Sequence, residues 1–268
     1  MVALRLGAFL AFALLYWTGV GAQEAEPPAL RVGVDSDYPP LAYRLEDGRL
    51  EGFDVDVAYA LCAEMERSCE LVSQPFARMI EQLRAGIIDI AVASMSITNE
   101  RERLVDFSIP YYRAPNRYLG RLEPQPALAD GNPEGLTIGV RQGTVFENFA
   151  EAVLTETNTV ISYPLQEEIF LDLLLGRLDA TLGNGLTLQT GFLDTQLGVD
   201  FGLIGPGLDA PEYFGRGEAV AMRKGQPDLK AAIDAAIERL RQDGGLREIW
   251  HRYFALPADT ALAEVTPE

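Results

Sequence analysis

The sequence predicts an α/β protein made of two similar sheets covered by helices. Short apolar, strand-like segments alternate with amphipathic, helix-like segments, which is typical of parallel sheets with helical crossovers. The same order of strand, glycine- or serine-containing turn and helix occurs once before and once after a polar, proline-rich stretch at 123–134. We therefore expect one sheet in each half of the chain, with any ligand outside the carboxyl ends of the strands.

The first series begins with a compact strand at 30–34 and a turn-rich loop at 35–40. A β-hairpin follows through Tyr43 and the turn at Asp47 and Gly48, because Asp-Gly favours tight hairpins. The next segments alternate regularly. They are a helix from about 53 to 65, a strand at 70–73, a helix at 78–85 and a strand at 88–93.

The second series repeats this alternation after the proline-rich stretch. It comprises strands at 136–140, 159–163 and 180–182, with helices from about 145 to 154 and at 167–175. A strand at 219–222, a long amphipathic helix at 227–242 and a short helix containing Trp250 then follow. Residues beyond Pro257 have the pattern of a frayed end.

The first 22 residues have the pattern of a secretory signal peptide. Arg5 is their only charge, and an apolar run at 6–20 leads to small residues before a cleavage site after Ala22. A permanent membrane anchor is the alternative, but the run is short for a spanning helix. We expect cleavage and a periplasmic location.

The mature chain is strongly acidic. Without Arg5 it has 21 basic and 40 acidic residues, a net charge of −19. We therefore expect neither nucleic acid nor an anionic membrane surface as a partner.

Cys62 and Cys69 lie seven residues apart with no histidine or third cysteine nearby. In an exported protein this pattern favours a structural disulfide over a metal site.

Two serines and an arginine form the most informative motif. Ser94 and Ser96 follow an apolar strand, and Arg101 lies further on in a charged, helix-compatible segment. Small hydroxyl residues leave room for a ligand and offer hydrogen bonds, while a guanidinium forms two parallel bonds to a carboxylate. The motif predicts a site for a small molecule that carries a carboxylate.

The chain resembles the periplasmic amino-acid-binding proteins of ABC importers, solute-binding family 3, over nearly all of its mature length. Within this family it is most similar to lysine/arginine/ornithine, histidine and opine binders, and the cysteine pair resembles the disulfide of the first two. The resemblance lies in these segments: GFDVD at 52–56, GIID at 86–89, SMSIT at 94–98 with Arg101, DFSIPYY at 106–112, VRQGT at 140–144, GRLDA at 176–180 and WHRYF at 250–254.

The resemblance implies a type II periplasmic-binding-protein fold with two lobes. Each lobe has a mixed sheet flanked by helices, and two crossover strands join the lobes. Lobe 1 then comprises 23–112 and 213–268, and lobe 2 comprises 113–212. The crossing strands are expected near 112–118 and 213–218.

The family's contacts with the ligand backbone map onto six residues. Arg101 matches the arginine that binds the α-carboxylate; alone, it could equally be a surface arginine paired with a neighbouring glutamate. Ser94 and Ser96 match residues that contact the α-carboxylate and α-ammonium, although helix capping is another role for them. From lobe 2, the Thr144 hydroxyl and the Val145 amide are expected at the carboxylate, unless the segment is a plain glycine turn. Asn184 replaces the aspartate that arginine and histidine binders place against the α-ammonium, as in opine binders, or it serves its own turn.

The family's side-chain subsite maps onto four residues. Tyr38 and Phe76 match the aromatic walls around the ligand side chain, with core packing as the alternative. Asp35 matches the acid that meets the cationic end of basic ligands. Arg141 opposes such a ligand. It either pairs with Asp35 or receives an additional ligand carboxylate, as an opine would supply.

The resemblance implies a monomeric protein that captures an amino acid, basic or a derivative such as an opine, and delivers it to a membrane permease without a cofactor. A periplasmic enzyme similar to cyclohexadienyl dehydratase is one alternative, and a sensor that presents its ligand to a receptor is another. Asp35 is the only obvious cleft carboxylate in the sequence, which has no visible nucleophile–base pair. These features favour a binding protein.

Overall fold

A computed structural model describes residues 28–123, 128–129, 132–255 and 257–262. The predicted signal peptide at 1–22, with its cleavage site after Ala22, lies outside these residues. The strands are β1 (Leu30–Val34), β2 (Asp37–Tyr38), β3 (Ala42–Arg44), β4 (Leu50–Glu51), β5 (Cys69–Ser73), β6 (Ile90–Ser96), β7 (Val105–Tyr112), β8 (Asn116–Arg121), β9 (Leu128–Ala129), β10 (Asn132–Pro133), β11 (Thr137–Arg141), β12 (Thr159–Tyr163), β13 (Ala180–Asn184), β14 (Phe201–Leu208) and β15 (Glu218–Arg223).

The α-helices are α1 (Phe53–Glu64), α2 (Met79–Arg84), α3 (Asn99–Glu102), α4 (Val145–Phe149), α5 (Gln166–Leu174), α6 (Gly185–Leu188), α7 (Pro211–Phe214), α8 (Pro227–Gln242), α9 (Gly245–Tyr253) and α10 (Ala258–Ala261). Single 3-10 turns occur at Phe76–Arg78 and Gln196–Gly198, and π turns at Ala150–Leu154 and Gln189–Leu193. The helix predicted at 145–154 is therefore α4 continued by a π turn.

Two five-stranded mixed sheets form the framework. The first has the order β5-β1-β6-β15-β7, and the second has the order β12-β11-β13-β8-β14. In the first, β1 pairs in parallel with β5 and β6, and β15 pairs antiparallel with β6 and β7. The second repeats this arrangement around β11, with β8 as the antiparallel strand between β13 and β14. The repeated plan expected from the sequence is thus a repeated sheet topology.

A glycine in each central parallel strand allows the close packing of the covering segments. A Cβ at Gly33 in β1 would lie 2.4 Å from Ile88 Cδ1, and a Cβ at Gly139 in β11 would lie 2.5 Å from Leu178 Cδ1. Real Cβ atoms do not approach carbon this closely. The two halves therefore use the same packing solution at equivalent positions.

The first sheet is covered by an aromatic core. Phe53 at the start of α1 lies against Tyr112, Trp250 and Phe254, with ring centroids 5.5, 5.8 and 5.2 Å away. Edge-to-face contacts of this kind stabilise beyond the area that they bury. A disulfide between Cys62 and Cys69, with Cα atoms 6.2 Å apart, joins α1 to β5. The predicted disulfide is confirmed.

The chain passes between the sheets twice. It leaves the first sheet after Tyr112 at the end of β7 and enters β8 at Asn116. It returns between Leu208, the end of β14, and Glu218, the start of β15. Both connections lie close to the crossings expected near 112–118 and 213–218, while the exact lobe boundaries remain predictions.

Two expectations about the chain's elements were wrong or incomplete. Immediately beyond Pro257 the chain forms α10, which buries Ala258 and Ala261, and the Ala261 carbonyl accepts a 2.8 Å hydrogen bond from the Arg113 amide. The rest of the predicted frayed end, at 263–268, lies outside the described residues. The strand β14 was not predicted, since glycine and proline at 205–207 interrupt its apolar pattern. Its ladder with β8 is itself irregular between Ile204 and Leu208.

Candidate ligand-binding site

The carboxyl ends of strands from both sheets face one cleft. All of the predicted site residues except Asp35 border the small cavity within it, so the structure brings together nine side chains spread over about 150 positions of the chain. The residues that border the cavity are Tyr38, Phe76, Ala93, Ser94, Ser96, Arg101, Arg141, Thr144, Val145, Phe146, Asn184 and Glu218.

Arg101 extends from the short helix α3 into the cleft. The Thr98 hydroxyl caps this helix by accepting a bond from the Arg101 amide, which fixes the start of the side chain. The guanidinium donates to the Ser96 carbonyl at 3.0 Å and, across the cleft, to the Gly143 carbonyl at 3.1 Å. Burial lowers the pKa of Arg101 to about 10, so the group remains a cation at neutral pH.

The Ser94 hydroxyl is hydrogen-bonded to a buried carboxylate below the cleft. It donates to both carboxylate oxygens of Asp54, at 2.8 and 3.0 Å, and the Ser94 amide donates to the Tyr111 hydroxyl. Tyr111 in turn donates to Asp54 at 2.7 Å. Burial raises the pKa of Asp54 to about 7, against the opposing effect of these hydrogen bonds. Ser94 itself has a φ of 49°, an uncommon backbone conformation outside glycine that persists only where its surroundings enforce it.

A buried ion pair between Arg141 and Asp35 fills the side-chain end of the cleft. Arg141 Nη1 lies 2.6 Å from Asp35 Oδ2, and the guanidinium carbon lies 4.6 Å from the centroid of the Tyr38 ring. Burial raises the pKa of Asp35, and the charge of Arg141 opposes this shift. Of the two roles considered for Arg141, the structure contains the pairing with Asp35. Asp35 lies behind Arg141 and is therefore missing from the cavity wall.

The remaining cavity is small. It measures about 30 Å³, which is water-sized space, because the Arg141 side chain occupies the region between Asp35 and Tyr38. On the opposite side the Arg101 guanidinium lies 5.4 Å from the centroid of the Phe76 ring. An amino acid can enter only if the two sheets move apart or Arg141 turns away.

The turn after β11 brings the second sheet close to the first. Gly143 has a φ of 74°, and a Cβ there would lie 2.8 Å from both Cα and Cβ of Ala77. Thr144 caps α4, since its hydroxyl accepts a 3.3 Å bond from the Glu147 amide and donates at 2.6 Å to the Arg141 carbonyl. Val145 begins α4 and is buried.

Asn184 serves the turn at the end of β13. Its side-chain carbonyl accepts bonds from the amides of Leu186 and Thr187, at 2.9 and 3.5 Å, and so caps α6. Its amide group donates to the Tyr112 hydroxyl at 3.4 Å. The acceptor oxygen that was expected to face a ligand ammonium is therefore used within the protein.

Three residues of the site were missed by sequence reasoning. Phe146 borders the cavity from α4, and Asp54 supports Ser94 from below. Glu218 borders the cavity as well, which corrects the expectation that Asp35 is the only cleft carboxylate. A signal for Glu218 existed, because it is the single charge at the start of the apolar run Glu-Ala-Val-Ala-Met. Asp54 lies within the GFDVD segment, which indicated the start of a helix and the family resemblance but no site residue.

Within the described ranges, no group of three or more histidine, cysteine, aspartate or glutamate residues is arranged to hold a metal ion. None of the helices in that part of the chain combines the length and apolar character needed to cross a bilayer.

A model of the bacterial extracellular solute-binding proteins, family 3, matches residues 30–256. The chain belongs to this family. It is 38% identical to the L-arginine-binding protein of Pseudomonas aeruginosa over 229 residues, which cover 84% of this chain and 88% of that protein. It is 34% identical to the lysine/arginine/ornithine-binding periplasmic protein of Escherichia coli over 240 residues, or 88% and 92% of the two chains.

The fold of this family 3 protein is shared with solved structures. A Salmonella typhimurium periplasmic binding protein, described for its high arginine specificity, matches 85% of this chain and 100% of its own, with a TM-score of 0.77 and 27% identity. The family and the type II fold predicted from the sequence are confirmed. The relatives named above are binding proteins by name.

Proposed function

We propose that this family 3 protein captures a free amino acid in the cleft and delivers it to the membrane permease of an ABC importer. The main observation in favour of this function is that Arg101 is buried without a carboxylate partner in the described part of the chain. Its cationic guanidinium is buried at the cavity wall, and its bonds go to main-chain carbonyls, with no carboxylate in salt-bridge contact among the described residues. A buried cation without an anionic partner is poorly compensated, and a ligand carboxylate supplies the partner.

A basic amino acid is the first ligand candidate. Asp35 and Tyr38 offer a carboxylate and an aromatic face at one end of the cleft, a combination that suits a guanidinium or ammonium group. The relatives' names, which specify arginine, lysine and ornithine, support the same class. Arg141 must then release Asp35 when the ligand binds.

An amino-acid derivative with a second carboxylate, such as an opine, is the second candidate. The specific observation in its favour is that Arg141 already neutralises Asp35, so that the side-chain end of the cleft has no net negative charge. Its guanidinium lies over Tyr38, where it could bind an additional carboxylate by rotating away from Asp35. Asn184, which brings no charge to the α-nitrogen, is compatible with a substituted nitrogen.

Capture is proposed to occur by closure of two lobes, residues 23–112 with 213–268 and residues 113–212. Hydrogen bonds across the cleft support this arrangement. Arg101 donates to the Gly143 carbonyl, the Tyr38 hydroxyl lies 2.9 Å from the Thr187 hydroxyl, and Asn148 donates to Glu100 at 3.3 Å. A ligand that bridges the lobes adds its own contacts to both and so favours the closed form. We propose that the protein acts as an exported monomer, after removal of residues 1–22.

A ligand screen tests the function and its alternatives. Mature protein, residues 23–268, is titrated by calorimetry with L-arginine, L-ornithine, L-lysine, L-histidine and octopine, and with L-glutamate, L-glutamine and prephenate for comparison. We expect one-to-one binding of a basic amino acid or of octopine, and recovery of each ligand unchanged. Binding of glutamate alone would exclude a basic ligand, and consumption of prephenate would show the enzyme alternative to be right.

A further inference from the structure

Besides Asp35, which is paired with Arg141 through Oδ2, two carboxyl groups are buried at the cleft, and they differ in how they are bonded. Asp54 uses both oxygens, since Ser94 donates to each of them and Tyr111 donates to Oδ1. Glu218 is buried too, but its Oε2 atom has no hydrogen-bond partner among the described residues. Leaving a buried carboxylate oxygen unpaired is costly. The Oε2 atom of Glu218 can therefore accept a hydrogen bond from a ligand.

This unpaired acceptor lies next to the residues that are expected to bind the ligand carboxylate. Glu218 begins β15 and lies opposite Ser96 of β6 in the antiparallel ladder. It borders the same cavity as Ser96 and Arg101, and its charge favours the cationic form of Arg101. An amino acid's ammonium and carboxylate groups are attached to the same carbon. A ligand whose carboxylate is on Arg101 can thus direct its ammonium group toward Glu218 within the same cavity.

No other described residue of the cavity wall offers a free carboxylate to an ammonium group. The Asn184 carbonyl is occupied by the capping of α6, and Asp35 is held by Arg141 behind the wall. Glu218 forms no salt bridge with Arg101 or Arg113, although both contribute to the electrostatic field around it. Burial raises the pKa of Glu218 to about 8, and an adjacent cation would favour its ionised form.

We propose that Glu218 binds the α-ammonium group of the ligand and replaces the charge that Asn184 lacks. This inference rests on the proposed function, because it assigns the second half of the α-amino-acid site. Glu218 thereby selects ligands with a cationic α-nitrogen, whether primary, as in arginine, or secondary, as in an opine. Carboxylic acids of the same shape without that nitrogen are rejected.

The test compares two ligands that differ only in the amino group, L-arginine and 5-guanidinopentanoic acid. Both are titrated into mature wild-type protein and into Glu218→Gln, which keeps the shape of the side chain and removes its charge. We expect wild type to prefer L-arginine, and the substitution to weaken L-arginine binding about tenfold or more while changing binding of the other acid less than about twofold. Glu70→Gln, on the exposed face of β5, is the matched control for net charge and should leave both affinities unchanged.

The possible outcomes separate the role of Glu218 from the proposed amino-acid-binding function. Equal losses for the two ligands in Glu218→Gln, or no loss for either, would overturn the role of Glu218 while leaving the amino-acid site in place. Wild-type protein that binds both ligands equally would overturn it as well. Failure of wild type to bind any amino acid of the screen would overturn the proposed function itself. If Glu218→Gln does not fold, Glu218→Asp keeps the charge, and it should retain a preference for L-arginine; loss of that preference would count against the proposal.

Discussion

At the scale of single residues, the cleft contains two buried arginines. The sequence predicted the role of one of them more clearly than that of the other. Arg101 follows a strand and two serines, a local pattern that already indicated a carboxylate site. Arg141 has no such local signature. Its partner Asp35 lies 106 positions away, directly after β1 of the other sheet, so the pairing depends on how the two halves of the chain are placed. Sequence reasoning could therefore only leave its role open.

The Arg141–Asp35 pair makes a prediction about ligand choice. Replacing Arg141 with methionine keeps much of the side-chain volume and frees Asp35 and the Tyr38 ring for a ligand cation. We expect Arg141→Met to bind L-arginine about tenfold more tightly or better, because the ligand guanidinium no longer competes with an internal one. Calorimetric titration measures the change. Unchanged or weaker L-arginine binding would contradict competition between Arg141 and the ligand for Asp35.

The same substitution should destabilise the protein in the absence of ligand. Asp35 would remain buried without its ion-pair partner, and breaking a buried pair from one side costs about 3 kcal/mol. Part of this loss should disappear as the pH is lowered, since burial raises the pKa of Asp35 and the neutral acid needs no cation. Denaturant unfolding at pH 5.5 and 7.5 checks both statements. A stability equal to wild type at both pH values would contradict them.

At the scale of elements, periodicity and turn residues predicted most of the framework. The hairpin at 42–51, the helix α1 and the long helix α8 are all where the patterns placed them. The strand β14 was missed because its pairing with β8 overrides the local preference of glycine and proline. Helix capping was also underestimated. Thr98, Thr144 and Asn184 each cap a short helix at the cleft, and Thr144 and Asn184 also border the cavity.

Gly143 provides a prediction at this scale. Alanine there would adopt a φ that is unfavourable outside glycine and would bring a methyl group against Ala77 across the cleft. We expect Gly143→Ala to weaken L-arginine binding about tenfold or more, because the two sheets could no longer close fully.

Gly176→Ala is the matched control for this variant. Gly176 has a similar φ of 67°, but nothing lies within 4 Å of the position of its added Cβ. Both variants should lose about 1 kcal/mol of stability from backbone strain, while Gly176→Ala keeps its affinity. Thermal unfolding and calorimetry separate the two effects. If the two variants bind L-arginine equally well, close approach at Gly143 is not needed for binding.

At the scale of the whole molecule, two sheets of one topology meet with their strand ends on a common cleft. The alternation of elements predicted the fold class, and the resemblance predicted the two-lobed plan. What neither could supply is the set of contacts made between the halves, such as Arg101 with Gly143 and Tyr38 with Thr187. Such contacts depend on the relative position of two separately folded layers, which no local pattern in the sequence encodes. Glu218, at the return crossing, has a local signal as the single charge of its apolar run, but its place at the cavity depends on how the two halves pack.

The central claim is that the buried Arg101 holds the carboxylate of an amino acid in the cleft. Its most direct test is a calorimetric titration of wild type and Arg101→Met with L-arginine and with agmatine, which is arginine without the carboxylate. We expect wild type to bind L-arginine about 100-fold more tightly than agmatine, and Arg101→Met to lose that preference by losing L-arginine binding. Equal binding of the two ligands by wild type, or L-arginine affinity retained in Arg101→Met, would contradict the account.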